Sequence, residues 1–409
     1  MKDCGCGGVV QVILYGFGGD LTYGKGSPEE RRIGFVDKKN RTAPIRKTLI
    51  QIGLSALLPF NGKRAAHRAS ELLDSLMGHL RMDEEGRSIE PLSNPWKLDS
   101  AQDHQLRPQY QFDYDWRIGP FEAATQLNAF IEALCESTDH TKIALTGFSE
   151  GSAVAMAYLK EYGSARLETL ILANGAWQGL TLAGELLTRR IGMAGARHTS
   201  FLLELLRPLV WGAMKYKIGP FYEQALLPLF AHMPAFWAFV PPDDYAQARA
   251  RFAGQEKYEK LLAKADKYHD EVQLKAEELL RQARANSVKI AIVCGYGHPS
   301  IPVTKAKTYH TDTLIDTARA SGGAAVARYG RKLSRSDSPY LSQDRIIDAA
   351  TCMFPDYTWF IRGMRHEDGP SEALRKWVIE SAGQVTVFDD TRFPQFMQLC
   401  PTKAITSAR

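Results

Sequence analysis

The chain reads as an α/β protein with a mostly parallel central sheet flanked by helices. Three observations predict this. Short apolar runs of strand length recur along the chain: VVQVILY, KIALTGF, TLILA, VKIAIV and YTWFI. Amphipathic or apolar helical stretches separate them, which is the connection that parallel strands need. The run over 142–162, KIALTGFSEGSAVAMAYLKEY, passes from an apolar strand through a glycine-bounded turn into a helix.

That turn, Gly147-Phe148-Ser149-Glu150-Gly151, fits G-x-S-x-G. A serine hydroxyl is a weak nucleophile until it is presented and handed to a base. A sharp strand-to-helix turn presents it at the end of a sheet, and the small flanking residues let the backbone turn. The helix that follows aims free N–H groups at the reacting centre. Ser149 is therefore the candidate nucleophile.

The elements follow in order. Val9 to Tyr15 is a strand, and Gly16-Phe17-Gly18-Gly19-Asp20 is a tight loop after it. The glycine spacing is wrong for a dinucleotide fingerprint, and no helix opens directly behind the loop. In an α/β-hydrolase such a loop supplies one oxyanion-hole N–H, here from Phe17 or Gly18, and Glu150 supplies the other. The apolar run over 49–60 is a core helix or part of a cover over the substrate. Ala65 to Leu80 is an amphipathic helix. Residues 82–110 are polar and rich in turns. Tyr114-Asp115-Trp116-Arg117 stands before a helix from Phe121 to Glu136. After the strand Leu167 to Ala173, the sheet pattern stops over 180–286. That segment holds FLLELLRPLVWGAM at 201–214, AHMPAFWAFVPPDDY at 231–245 and a charged helical stretch from Tyr245 to Ala285. It reads as a helical cap inserted between two parts of one core, 1–179 and 287–409. The sheet resumes at Val288 to Val293. Residues 303–335 form a hairpin or short excursion, Ile346 to Met353 a helix and Tyr357 to Ile361 a strand. Ser371 to Ala382 is a closing helix and Val385 to Phe388 a last strand.

A serine nucleophile needs an imidazole base, and the base needs a carboxylate to fix its tautomer. His366 follows a late strand and precedes the final helix, where this fold puts its base; His298, also after a strand, is the alternative. Asp337, in the polar turn Ser336-Asp337-Ser338-Pro339, is the candidate acid, with Asp344 and Asp348 as rivals.

Composition narrows the partners. Of 409 residues, 44% are hydrophobic and 24% charged, as in ordinary globular proteins. The net charge of +5 suits an anionic substrate or a membrane surface. No basic run with interleaved aromatics points to nucleic acid. Six cysteines stand at 4, 6, 135, 294, 352 and 400, and Cys135 and Cys294 are expected as buried thiols. No metal-ligand spacing or Walker loop occurs, and a serine triad needs no cofactor. No signal peptide and no run of 18 uncharged apolar residues is visible. The expected address is cytoplasmic, or secreted if the chain is a trimmed mature form.

These pieces together resemble the lecithin:cholesterol acyltransferase family, which includes phospholipid:diacylglycerol acyltransferases and related phospholipases. YDWR at 114–117 is the most specific match. GFSEG, NGAWQG, MPAFWAFVPP, CGYGHPS, SDSPYL and GMRHED carry the rest. Ser338 and Pro339 stand where the family has glycine and threonine after its acid, and Glu150 where many members have an apolar or small residue. The resemblance implies a Ser149, Asp337, His366 triad acting on ester-linked acyl chains of lipids, with water or an alcohol as acceptor. Tyr114, Asp115, Trp116, Trp177 and Trp237 are then candidates to shape the substrate pocket, although the first three also read as core residues. The alternatives are an esterase for a soluble ester or lactone, and a non-catalytic hydrolase-like binding protein.

Overall fold

The computed structural model describes residues 8–28, 30–34, 62–94, 96, 98, 109–190, 226–300, 309–335, 337–369 and 371–399. The apolar runs over 49–60 and 201–214 lie outside these residues, as do Cys4, Cys6 and Cys400.

Fourteen strands are described. They are β1 (Val10–Leu14), β2 (Leu21–Tyr23), β3 (Arg31–Ile33), β4 (Leu92–Ser93), β5 (Gln109–Phe112), β6 (Ile143–Phe148) and β7 (Leu167–Ala173), then β8 (Lys289–Tyr296), β9 (His298–Pro299), β10 (His310–Thr311), β11 (Ala325–Val326), β12 (Ile347–Asp348), β13 (Thr358–Arg362) and β14 (Phe396–Gln398). Seven of them form the central sheet, in the order β14-β13-β8-β7-β6-β1-β5. Every pairing in that sheet is parallel. The middle strands are apolar because both faces are covered; all eight residues of β8 are buried.

The helices are α1 (Gly62–Met77), α2 (Pro120–Thr138), α3 (Gly151–Tyr162), α4 (Thr181–Leu187), α5 (Leu227–Phe230), α6 (Pro234–Ala238), α7 (Pro242–Ala250), α8 (Glu259–Tyr268), α9 (Ala276–Ala285), α10 (Thr317–Ala320) and α11 (Glu372–Glu380). The pleat sends alternate residues to opposite cores. Leu145, Leu170, Leu172, Ile290 and Ile292 meet α2 and α3 in the larger core. Ala144, Ile171, Ala173, Ala291 and Val293 meet Leu374, Val378 and Ile379 of α11 in the smaller one. In α2 the buried positions Ala123, Ala124, Leu127, Phe130, Ile131 and Leu134 recur at helical spacing and face the sheet. Cys135 and Cys294 are buried free thiols, as expected.

The structure departs from the sequence reading at four places. The polar segment 82–110 supplies β4 and β5, the latter an edge strand of the main sheet. The stretch from Tyr245 to Ala285 is not continuous. It breaks at Gly254, whose φ of 75° is left-handed, and again at a π-helical turn over His269–Gln273. Residues 346–353 form β12 and a 3-10 turn rather than a helix. The last strand is β14, not Val385 to Phe388. Just before Val385, the Gln384 side chain binds the start of β8: its Oε1 accepts from the Ile290 N–H at 2.8 Å and its Nε2 donates to the Ile290 carbonyl at 3.0 Å. Val385 and Val387 stay buried in the smaller core.

Because the sheet is parallel, the C-terminal ends of β1, β6, β8 and β13 open on one edge, where ligands of such sheets bind.

Candidate active site

β6 ends at Phe148 and α3 begins at Gly151. Ser149 between them has φ 55°, a left-handed value that costs a non-glycine residue about 1–3 kcal/mol. The surroundings hold it there. The Ser149 N–H donates to the Ala173 carbonyl at 3.1 Å, and its own carbonyl accepts from the Ala176 N–H at 3.0 Å and the Ser152 hydroxyl at 2.6 Å. The flanking glycines are required by space. A Cβ on Gly147 would stand 2.7 Å from Ser152 Cα, and one on Gly151 would stand 2.7 Å from Leu14 Cβ.

His366 opens a 3-10 turn just past β13. Its Nε2 lies 2.9 Å from Ser149 Oγ, and its Nδ1 lies 2.7 Å from an oxygen of Asp312. Asp312 follows β10 and is almost fully buried. Its other oxygen accepts from the backbone N–H groups of Leu314 at 2.9 Å and Ile315 at 2.8 Å. The carboxylate thus has a fixed orientation. With the proton on Nδ1 facing Asp312, Nε2 is left to accept the proton of Ser149.

The acid expected from the sequence was Asp337, and the structure replaces it. Asp337 is exposed, whereas Asp312 sits against His366. Asp344, one rival, binds the Tyr296 and Ser342 hydroxyls, and Asp348, the other, accepts from the Ala350 N–H. Asp312 was hidden inside a stretch read as a hairpin excursion. Its signal was an aspartate followed directly by Thr-Leu-Ile, with the Leu314 and Ile315 N–H groups folding back onto it. His298, the alternative base, bonds the Gly363 carbonyl instead. Glu367 and Asp368 turn to Arg365: the Glu367 carboxylate pairs with its guanidinium at 2.8 Å, and Asp368 accepts its N–H at 2.8 Å.

The loop after β1 comes up against the elbow. A Cβ on Gly16 would lie 2.6 Å from Ser149 Oγ and 2.9 Å from the Glu150 nitrogen. Of the expected oxyanion residues, Glu150 directly follows Ser149, and Phe17 and Gly18 follow Gly16 in this loop. The Glu150 carboxyl is 1% exposed, and burial pushes its pKa well above the usual carboxylate range, with the Asp115 charge adding to the effect.

The YDWR segment braces this loop from behind. Tyr114 donates its hydroxyl to the Tyr15 carbonyl at 3.0 Å, and Trp116 donates Nε1–H to the Gly19 carbonyl at 2.8 Å. Arg117 is fully buried and grips Asp115 with two bonds, at 2.9 and 2.7 Å. Its outer nitrogen also donates to the Ser88 hydroxyl at 2.8 Å. Trp177 donates to the Ala320 carbonyl and Trp237 to the Ala231 carbonyl, and both are buried. Tyr114, Asp115, Trp116, Trp177 and Trp237, expected to shape the substrate pocket, are all buried and hydrogen-bonded within the protein. Arg117→Ala strands the Asp115 charge in the interior and is expected to destabilise the protein by about 3–5 kcal/mol. Denaturant unfolding at neutral pH checks this; a change under about 1 kcal/mol, the range of exposed pairs, would refute it.

Aromatic rings gather beside the first loop and His366. Phe17 packs on Trp116 with ring centres 4.3 Å apart and faces Phe239 and Phe230. Phe148 lies 5.2 Å from the His366 ring. Among the described residues, no cluster of His, Cys, Asp and Glu could hold a metal ion, and no helix is long and apolar enough to cross a membrane.

No protein-family model matches the chain, and no curated protein matches it. Solved structures similar to it include an esterase from Exiguobacterium antarcticum, at 15% identity over 48% of this chain and 67% of that one, with a TM-score of 0.21. The Tle4–Tli4 complex is similar at 11% identity over 69% of this chain and 74% of that one, with a TM-score of 0.29. A thermophilic esterase from Thermogutta terrifontis is similar at 18% identity over 45% and 84%, with a TM-score of 0.17. The parallel sheet, the elbow after β6, the aspartate after β10 and the histidine after β13 give this chain the α/β-hydrolase fold.

Proposed function

We propose that the protein is a serine esterase that transfers apolar acyl groups from esters, with lipid esters as the preferred donors. The observation that carries this is the hydrogen-bonded line Ser149–His366–Asp312 at the C-terminal edge of the sheet. In the first step Ser149 Oγ attacks the ester carbonyl while His366 Nε2 takes its proton. Asp312 holds the imidazolium that forms. The backbone N–H groups of Phe17 and Glu150 hold the oxyanion. The intermediate collapses, and the departing alcohol takes the proton from His366. Water then attacks the acyl-enzyme, with His366 as base, and releases the carboxylic acid and free Ser149. An acceptor alcohol in place of water gives a new ester by the same steps.

The preference for an apolar acyl group is supported by the half-buried rings of Phe17, in the loop that reaches Ser149, and of Phe230, 6.4 Å from it between ring centres. Such a wall gains from burying a hydrocarbon chain, by about 0.8 kcal/mol per methylene.

The test uses the wild type and Ser149→Ala. A fluorophosphonate is expected to label the wild type alone, at Ser149. Phospholipid vesicles with a long-chain alcohol then separate the outcomes by product mass. Free fatty acid marks a lipase or phospholipase, and a new ester marks a transferase. Cleavage of a soluble p-nitrophenyl ester with neither lipid product would transfer the reading to a small-ester esterase. Absence of labelling and of all turnover would refute catalysis.

A further inference from the structure

We infer that Glu150 works as an uncharged carboxylic acid beneath the nucleophile elbow, and that its ionisation sets the alkaline limit of the oxyanion hole. This positioning role rests on the esterase reading above.

Three observations carry it. Glu150 directly follows Ser149, and a Cβ on Gly16 of the first loop would stand 2.9 Å from its nitrogen, so in the esterase reading its side chain branches one bond from an oxyanion donor. The side chain is 1% exposed, and neither carboxyl oxygen has a hydrogen-bond partner. It also stands at the N-cap of α3 without making a capping bond.

The groups around it leave no compensating charge. Asp115 is the anion acting on it, and that carboxylate is committed to Arg117. Tyr114 and Tyr268 sense Glu150 from the segment after β5 and from α8. Their hydroxyls are spent on the Tyr15 and Trp177 carbonyls. Both phenols are held in the neutral form by burial. The helix N-terminus favours an anion, but an unpartnered carboxylate in a dry interior loses far more hydration than that partial charge returns.

The chemistry follows from the position. While neutral, Glu150 leaves the oxyanion as the one negative charge at the elbow. Once ionised, it sets a second negative charge beside that oxyanion in a low-dielectric site, and like charges there oppose strongly. The transition state suffers more than the ground state, so the loss falls on kcat.

The experiment compares wild type with Glu150→Gln, a neutral variant of similar shape, and with Glu150→Leu should the amide fold poorly. Hydrolysis of p-nitrophenyl butyrate is followed from about pH 6 to about pH 10, each profile normalised to its own maximum. The wild type is expected to lose about tenfold per pH unit above the ionisation of Glu150, and the variants to lack that limb. Unfolding midpoints over the same range give a second readout. The folded-state pKa of Glu150 is raised, so the folded state keeps a proton that the unfolded chain releases. Wild-type stability therefore falls as pH rises from the ordinary carboxylate range towards that raised value. The neutral variants lack this slope, so their midpoint advantage widens with pH. An identical alkaline limb in wild type and variant overturns the inference, as does a midpoint gap that stays constant. If no protein turns over ester, the esterase reading fails and the oxyanion-hole role falls with it. A widening midpoint gap would then show a neutral Glu150 without a catalytic part.

Discussion

Asp312→Asn is expected to lower kcat by about 10⁴-fold, whereas Asp337→Asn leaves it within about twofold. The difference is one of tautomers. An asparagine at 312 can still accept the Leu314 and Ile315 N–H groups through its oxygen. Its amide nitrogen then faces His366 Nδ1 and demands an acceptor there. The ring proton moves to Nε2, where it points at Ser149, and the imidazole can no longer take the serine proton. The loss falls on kcat rather than KM, because no substrate contact has changed. Asp337 is exposed and away from His366, so its substitution touches nothing in the relay. The measurement is steady-state hydrolysis of a p-nitrophenyl ester by both variants. A large loss at 337 with none at 312 would reverse the assignment of the acid.

Gly16→Ala carries the second-largest expected effect, a loss of about 10²–10³-fold in kcat, the cost of one misplaced oxyanion donor. The added methyl meets Ser149 Cβ at 2.5 Å and Ser149 Oγ at 2.6 Å. Neither neighbour can retreat: Ser149 is held in its left-handed conformation by Ala173, Ala176 and Ser152. The first loop must therefore move, and the Phe17 N–H moves with it. Overpacking of this kind costs about 1–3 kcal/mol, so the variant is expected to fold with a lowered midpoint. Fluorophosphonate labelling rate and unfolding midpoint, measured together, separate the two effects. Undiminished labelling in a folded variant would show that the loop does not serve the nucleophile.

The fold was legible where physics writes it locally. Strands buried on both faces are mostly apolar, so β6, β7 and β8 announce themselves. Glycines forced by contact at 147 and 151 mark the elbow, and His366 follows from its place after β13. What was hidden depends on partners far away in sequence. β5, QYQF, is an edge strand whose polar residues face outward, and it looks like loop until β1 is beside it. β14, Phe396–Gln398, was missed because it is a three-residue edge strand that, among the described residues, pairs only with β13. Asp312 and Asp337 both lie in polar segments between β8 and β13. Only burial against His366 tells them apart, and burial is not a local property. The YDWR segment was recognisable as special, but its task of bracing the first loop shows only in the hydrogen bonds to Tyr15 and Gly19.

In the esterase reading, those two bonds bear on the temperature response of acylation. Clamped at Tyr15 and Gly19, the first loop surrenders its freedom when the chain folds and has little left to surrender at the barrier. The activation entropy for acylation is then expected to contain little from ordering of this loop. A hydrolase whose first loop is free before binding would carry that ordering in every turnover. Here the Tyr114 hydroxyl and the Trp116 indole have done it in advance.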